Sequence, residues 1–123
     1  MSDSFQGVIW QTGPNGGTPI QWSKDPLLAP TPAAGSFLSP PFGANGIEFN
    51  NEHTIMFVAN TAFHQIIRIP VNSDGTAGTP SIFITGINAP DGIMVDSNDN
   101  GGETHQGLQG RYEENYGAAQ VEM

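Results

Sequence analysis

Two short segments of the chain place an amide or carboxylate side chain directly before a glycine. The first is Asn45–Asn50, with the sequence NGIEFN, and the second is Asp91–Asp96, with the sequence DGIMVD. Amide and carboxylate oxygens are ligands that Ca²⁺, Mg²⁺ or Mn²⁺ prefer over soft donors. Asn-Gly and Asp-Gly also favour tight turns for purely conformational reasons. The repeated pattern by itself therefore leaves a metal site and a pair of turns both open.

A further acidic segment matches part of a calcium-binding loop but lacks its last ligand. Asp96, Asn98, Asn100 and Gly101 follow the spacing of the first half of an EF-hand loop. The acid that binds calcium through both oxygens should then fall at position 107, which is Gly107. The segment is therefore predicted to be a hairpin turn between two strands.

The histidines and three candidate serines form no catalytic or metal-binding pattern. The histidines share no ligand spacing, and the serines lie in no nucleophile-elbow sequence. These residues are His53, His64, His105, Ser36, Ser39 and Ser81. They give no support to a histidine metal site or to a serine hydrolase.

The composition favours short strands and excludes several classes of protein. The chain has 123 residues, with 16 glycines and 10 prolines, which suits many strands joined by tight turns. Twelve acidic residues against three basic ones give a net charge of -9, so the chain would repel a phosphate backbone and is not expected to bind nucleic acid. The absence of cysteine excludes disulfides and thiolate chemistry.

Neither the start of the chain nor its apolar runs indicate a membrane. Residues 1–4 have no basic segment followed by an apolar one, as a signal peptide would. No stretch approaches the length needed to span a bilayer. The chain as written is expected in the cytosol, without a membrane partner.

The first part of the chain predicts a hairpin followed by an irregular crossing. Val8–Trp10 and Pro19–Trp22 are apolar runs on either side of the turn Gly13–Gly17. Trp10 and Trp22 would then form a cross-strand aromatic pair. The segment 24–43 contains five prolines, so it is predicted to cross the surface without a helix or a central strand.

Four strands are predicted in the segment 44–86. They are Gly46–Phe49, Thr54–Ala59, Gln65–Val71 and Ser81–Thr85. Four antiparallel strands in a segment of this length are typical of one β-propeller blade. A fifth strand within 90–96 begins the pattern again, and the segment 7–23 matches the outer strands of a preceding blade. The predicted fold class is all-β, an incomplete β-propeller over residues 1–100.

The end of the chain departs from this pattern. Residues 101–123 are polar and interrupted by glycines, and no strand pattern follows. Gly107, Gly110 and Gly117 would each weaken a helix there by about 1 kcal/mol. This tail is therefore predicted to be disordered.

Four motifs carry a resemblance to a known family. They are NGIEF at Asn45–Phe49, FVANT at Phe57–Thr61, IPVNSDG at Ile69–Gly75 and PDGIMVD at Pro90–Asp96. In these motifs the chain resembles the senescence-marker-protein/gluconolactonase/luciferin-regenerating-enzyme-like family. That family is a six-bladed β-propeller that hydrolyses lactones and related esters with a divalent metal in its central channel. The resemblance implies that this chain supplies about two blades.

The same resemblance implies a metal site at Asn45 and Asp91. Asn45 matches a ligand asparagine of the family, and Asp91 matches a ligand aspartate that is also the candidate catalytic base. Ca²⁺ is the expected ion, with Mg²⁺, Mn²⁺ or Zn²⁺ as alternatives. The family's remaining ligands, a glutamate and a second asparagine, come from blades outside this chain, so the isolated chain is expected to be inactive.

The function implied is therefore that of a fragment of a divalent-metal-dependent lactone or ester hydrolase, with a small lactone or ester as substrate. The alternative is a non-catalytic propeller repeat module that binds a protein or another ligand through its loops. In either case the open sheet edges of an incomplete propeller predict self-association.

Overall fold

The computed structural model describes residues 1–30, 42–96 and 118–122, and it shows a mostly β fold made of three sheets. The strands are β1 (Ser2–Asp3), β2 (Val8–Gly13), β3 (Gly16–Lys24), β4 (Ala44–Phe49), β5 (Ile55–Asn60), β6 (Gln65–Pro70), β7 (Ser81–Thr85), β8 (Gly92–Asp96) and β9 (Ala118–Glu122). Strands β1 to β3 form an antiparallel N-terminal sheet, and β4 to β7 form an antiparallel central sheet. Strands β8 and β9 pair in parallel.

The central sheet has the four strands predicted for the segment 44–86. They pair in chain order, each with the next, through short antiparallel connections. The register pairs Val58 with Ile67 and Phe57 with Arg68. The prediction of a four-stranded antiparallel unit is therefore confirmed.

The central sheet is buried on both of its faces because its inner strands direct apolar side chains to each face. Successive side chains of a strand point to opposite faces. Met56 and Val58 of β5 pack into one core cluster, whereas Phe57 and Ala59 pack into another. The first cluster also contains Ile9 and Leu28 from the first 30 residues, and the second contains Ile87 and Ile93 from the chain after β7. The central sheet is therefore enclosed between the elements that precede and follow it.

The β4–β5 connection is closed by one buried side chain. The Oδ1 atom of Asn50 accepts hydrogen bonds from the backbone amides of Thr54 (2.8 Å) and Ile55 (2.9 Å). Asn50 is only 2% exposed, and its amide donates to the hydroxyl of Thr54 at 2.9 Å. Such local side-chain bonds are the reason that asparagine is frequent in turns.

The segment between the first two sheets contains a short helical turn where none was predicted. Pro26–Leu28 forms a 3-10 turn that begins with proline, a position where the missing amide hydrogen costs nothing. Asp25 caps the turn by accepting a hydrogen bond from the amide of Leu27 at 2.9 Å. Leu28 is fully buried in the core. The rest of the predicted proline-rich crossing, 31–41, lies outside the described residues.

The predicted hairpin of the N-terminal sheet is present, but its two tryptophans do not pair. Trp10 lies opposite Gln21, because the register shifts between Ile9 and Trp10. Trp22 instead packs against the first core cluster, and its indole Nε1 donates to the carbonyl of Gly75 at 2.8 Å. A bulge at Trp22 in β3 thus separates the two rings, and no sequence pattern predicted it.

The structure adds two strands that the sequence did not predict. Strand β1 precedes the hairpin, and its residues Ser2 and Asp3 are too few and too polar to give a strand pattern. Strand β9 lies within the tail that was predicted to be disordered, and Gly92 pairs with Ala118 there. The hydrogen bonds between β8 and β9 join backbone atoms and do not depend on the side chains of β9. Hydropathy therefore did not indicate this strand. Residues 101–117 and 123 of the tail lie outside the described residues.

Within the described ranges, no helix has both the length and the apolar character that a bilayer crossing would require.

The turn between β6 and β7 contains a carboxyl group whose pKa is lowered by hydrogen bonds. Oδ1 of Asp74 accepts from the hydroxyl of Thr76 at 2.6 Å and from its backbone amide at 3.0 Å. The hydroxyl bond is the larger cause, and both hydrogen bonds stabilise the charged form. Because the folded-state pKa lies below the ordinary value of 3.8, this group stabilises the fold above that pH. The contribution is lost as the pH falls through the lowered pKa.

We expect Thr76→Val to raise the pKa of Asp74 part of the way to its ordinary value, since the backbone bond remains. A carboxyl ¹³C NMR titration measures this directly. Thr18→Val, on the exposed face of β3, is the matched control and should leave the Asp74 titration unchanged. An unaltered midpoint in Thr76→Val would contradict the assigned cause.

Candidate functional site

The two repeated Asn-Gly and Asp-Gly units meet in space where β4 and β8 lie side by side. Asn45 belongs to β4, and Asp91 directly precedes β8. The backbone amide of Gly46 donates to the carbonyl of Asp91 at 2.7 Å. This backbone hydrogen bond holds Gly46, the residue after Asn45, against Asp91.

Glycine at position 46 is required by this close approach. A Cβ atom added there would overlap the carbonyl oxygen of Asp91 and would lie 2.9 Å from the Cα of Gly92. Both atoms belong to the backbone, so neither can turn away as the end of a side chain could. The glycine of the NG unit is therefore explained by packing between strands rather than by a turn.

Asn45 and Asp91 line one cavity of about 510 Å³. The other lining residues are Ser4, Phe42, Thr61 and Ala89. The structure thus brings together the two residues that the sequence predicted as ligands. The cavity is open to solvent beside Asp91, which is exposed.

A threonine between the two candidate ligands fixes the direction of the Asn45 amide. Thr61 is 5% exposed, and its hydroxyl donates to the carbonyl of Pro90 at 2.7 Å. A hydroxyl has one hydrogen, so towards Asn45 it can only accept, and Nδ2 of Asn45 donates to it at 3.2 Å. The Oδ1 atom of Asn45 is therefore left at the other end of the amide, where it can bind a cation.

Asp91 supplies the second candidate oxygen group. Its side chain is exposed, and within residues 1–30, 42–96 and 118–122 its carboxylate accepts no hydrogen bond. An exposed and unengaged carboxylate beside an amide oxygen is a donor set that suits a hard divalent cation. The two groups fit such an ion but supply only part of its shell, since Ca²⁺ takes 6–8 oxygens.

No larger cluster of ligands accompanies this pair in the described part of the chain. No group of three or more histidine, cysteine, aspartate or glutamate side chains could hold a metal there. The site resembles one segment of a ring of ligands more than a closed metal centre.

Two serines that precede the hairpin were missed by the sequence analysis. The hydroxyl of Ser2 donates to the backbone carbonyl of Asn45 at 2.6 Å, and that of Ser4 donates to the carbonyl of Ala44 at 2.7 Å. The amide of Gly43 donates to the carbonyl of Ser4 at 2.8 Å. These three bonds fasten the start of β4 to the first strand of the chain, although nothing in the local sequence of the serines indicated it.

His64, which showed no ligand spacing, has a positioning role at the site. Its Nδ1 atom accepts a hydrogen bond from the amide of Ala89 at 2.9 Å, and its carbonyl accepts one from Ile87 at 3.2 Å. Both bonds hold the loop that leads to Asp91. His64 and Ala89 adopt left-handed backbone conformations, with φ of 56° and 44°. No motif could have predicted this role, because it depends on a loop packing beside another.

The remaining candidates lie away from the cavity or outside the described residues. His53 contacts the ring of Phe49 edge to face, at 5.6 Å between centroids. Asp96 is the last residue of β8, so the proposed hairpin turn that follows it lies beyond the described residues. His105, Ser36 and Ser39 also lie outside them.

Comparison of the chain with protein-family models and with curated proteins gave no match.

Proposed function

We propose that Asn45 and Asp91 are two ligands of a divalent-metal site in a lactone or ester hydrolase of the gluconolactonase-like type. The observation that carries the proposal is that both side chains line one cavity, although Asn45 lies in the central sheet and Asp91 directly precedes β8. Turn chemistry alone gives no reason for an NG unit and a DG unit to face the same space. A shared ligand would give that reason.

The architecture supports an incomplete propeller as the framework of this site. The central sheet has the strand order of one blade, and its two faces pack against the elements before and after it. The start of β4 is bonded to Ser4 on one side and to Asp91 on the other. Strands β1, β4 and β8 would then be the channel-side strands of three successive blades, which is the place where propellers bind ligands.

The residues of the chain have distinct tasks in this proposal. Asn45 presents its amide oxygen because Thr61 holds the amide nitrogen, and Asp91 presents a charged carboxylate that can also accept a proton from water. When bound, the cation would supply Lewis acidity for a carbonyl oxygen and would lower the pKa of a coordinated water. His64 and Gly46 hold Asp91 in place through its loop and its carbonyl. The remaining ligands of a complete site would come from further blades, so turnover by this chain alone is not expected.

Divalent binding gives a direct test. We expect the chain to bind Mn²⁺ weakly, with a dissociation constant of about 10⁻⁴ to 10⁻³ M, because only two protein groups contribute. Paramagnetic broadening in NMR spectra should affect the amides of Asn45, Gly46 and Asp91 first. Asp91→Ala should weaken the binding by about tenfold or more, since it removes the only formal charge among the described residues that line the cavity.

The matched control is Asp74→Ala, which makes the same change of charge at an exposed turn outside the cavity. It should leave Mn²⁺ affinity within about twofold of the original value, because exposed charges beyond about 10 Å are screened. Equal affinity in Asp91→Ala and the original chain would overturn the proposed site.

A second candidate function, a non-catalytic module that associates through its edges, is favoured by the outer strands. Strand β3 is exposed along most of its length and carries Ile20, which is 61% exposed. Strand β7 is the edge of the central sheet and carries Ile82, which is 46% exposed. Exposed strands with apolar side chains of this kind can pair with other chains.

Light scattering coupled to size exclusion distinguishes the monomer from an associated form of the chain. Association through these edges predicts a discrete species at a small multiple of 13.0 kDa. Introducing a charge by Ile82→Lys should shift it to the monomer, whereas Ile20→Thr should have a smaller effect. A monomer at every protein concentration would count against the module.

A further inference from the structure

A second cavity, of about 410 Å³, lies next to the candidate metal site. Ser4 and Phe42 line both cavities, so the two spaces adjoin along these residues. The aromatic part of the second cavity comes from Phe5 and Trp10 together with Phe42. Phe5 and Phe42 pack edge to face, with 5.8 Å between their ring centroids.

The serine hydroxyls and one carboxylate oxygen of the second cavity already form hydrogen bonds within the protein. The hydroxyls of Ser2 and Ser4 donate to backbone carbonyls of β4 at 2.6 and 2.7 Å. The Oδ1 atom of Asp3 accepts from the backbone amides of Phe5 and Gln6, at 3.1 and 3.0 Å. What remains for a ligand is largely aromatic surface.

Much of this aromatic surface is exposed to solvent. Phe5 is 67% exposed and Phe42 is 39% exposed, although each buries part of its ring against the other. Adjoining exposed aromatic side chains in a concave site are typical of places where an apolar ligand group binds.

We infer that this aromatic cleft binds the apolar substituent of the substrate whose carbonyl lies at Asn45 and Asp91. The inference rests on the proposed function and specifies its substrate class: lactones or esters with an alkyl or aryl substituent, rather than polyhydroxylated sugar lactones. Sugar hydroxyls placed against the rings of Phe5 and Phe42 would lose water without gaining partners, because these two side chains have no polar atoms. An alkyl or aryl group loses no hydrogen bonds there and gains contact with Phe5 and Phe42.

The experiment uses two small probe molecules that cannot be hydrolysed. One is 2-pentylcyclopentanone, which has a ring carbonyl and an alkyl chain, and the other is 1,5-anhydroglucitol, which has the hydroxyls of a sugar. We expect the ketone to cause saturable NMR shifts at the amides of Phe5, Trp10 and Phe42. The polyol should cause none at the same concentrations.

Substitutions test the role of the aromatic rings. Phe42→Ala should raise the dissociation constant of the ketone about tenfold, because it removes a ring that borders both cavities. Phe5→Ala should raise it as well, and this residue is exposed enough that its loss leaves the fold intact. Phe63→Ala is the matched control, since Phe63 is similarly exposed at 41% but lines neither cavity.

The outcomes distinguish the inference from the proposed function. Equal binding of both probes, or unchanged affinity in both Phe42→Ala and Phe5→Ala, would overturn the apolar subsite even if Mn²⁺ binds at Asp91. Conversely, ketone binding that depends on Phe42, together with Mn²⁺ binding that is indifferent to Asp91→Ala, would leave the subsite and remove the metal site.

Discussion

Asn60→Leu should lower the free energy of unfolding by about 3 to 5 kcal/mol relative to the original chain. Asn60 is fully buried at the end of β5. Its Nδ2 atom donates to the carbonyls of Leu27 (2.8 Å) and Ala29 (3.0 Å), and its Oδ1 atom accepts from the amide of Phe63 at 3.1 Å. Leucine has a similar volume but would leave all three backbone groups without partners.

This loss would be a large share of the stability of a small domain, which is about 5 to 15 kcal/mol in total. Chemical denaturation followed by the fluorescence of Trp10 and Trp22 measures it. Asn72→Ala is the control, because its amide bonds Thr76 at the exposed turn and its loss should cost less than about 0.5 kcal/mol. A cost below about 1 kcal/mol for Asn60→Leu would show that water replaces the lost bonds.

The variant Asn60→Asp tests the direction of the same hydrogen bonds. Its new carboxyl would be buried and would face the carbonyl oxygens of Leu27 and Ala29, so both burial and repulsion raise its pKa in the folded state. A raised folded-state pKa contributes stability below the unfolded value of about 3.9, and that contribution is lost as the pH rises. We therefore expect this variant to approach the original chain in stability at low pH and to fall behind it at neutral pH.

Gly46→Ala should have the second large effect, on stability and on the site together. Its Cβ would overlap the carbonyl of Asp91, so β4 and β8 must separate and the hydrogen bond between them must lengthen or break. Overpacking against backbone of this kind costs about 1 to 3 kcal/mol. Because Asn45 and Asp91 are held together by this contact, Mn²⁺ binding should be lost as well.

The control for this variant is Gly13→Ala. Gly13 lies at the end of β2, and an added Cβ there would approach the carbonyl oxygen of Gly16 only to 3.3 Å. The hairpin can yield by a few tenths of an ångström, so neither stability nor Mn²⁺ binding should change much. If Gly46→Ala kept full Mn²⁺ affinity, the close approach of the two strands would not be what positions the ligands.

The strands of the central sheet could be predicted because local signals agree with the tertiary structure. Ile55–Asn60 and Gln65–Pro70 are apolar runs of strand length, and both are bounded by turn residues. Trp22 shows the limit of such signals: its partner is the backbone of Gly75, which is far away in sequence. Strand β9 is a second case, since a parallel pairing requires a distant partner that hydropathy cannot indicate.

The sequence predicted that Asn45 and Asp91 lie together but not which residues support them, and their role as metal ligands stays a prediction. The resemblance placed Asn45 and Asp91 together, and the two residues line one cavity. Thr61 and His64 hold them through bonds to the carbonyl of Pro90 and the amide of Ala89. Hydrogen bonds to backbone atoms do not depend on the residue types of their partners, so they could not be predicted from the sequence.

The chain order of the central sheet also determines when its parts can form during folding. Each of its strands pairs with the next one along the chain, so closing each connection costs little conformational entropy. The bonds that join the N-terminal residues to it span much longer separations, 43 residues from Ser2 to Asn45 and 53 from Trp22 to Gly75. Contacts of long separation form late in folding. We therefore expect the cavity to be assembled last, when β1 docks on a central sheet that is already formed.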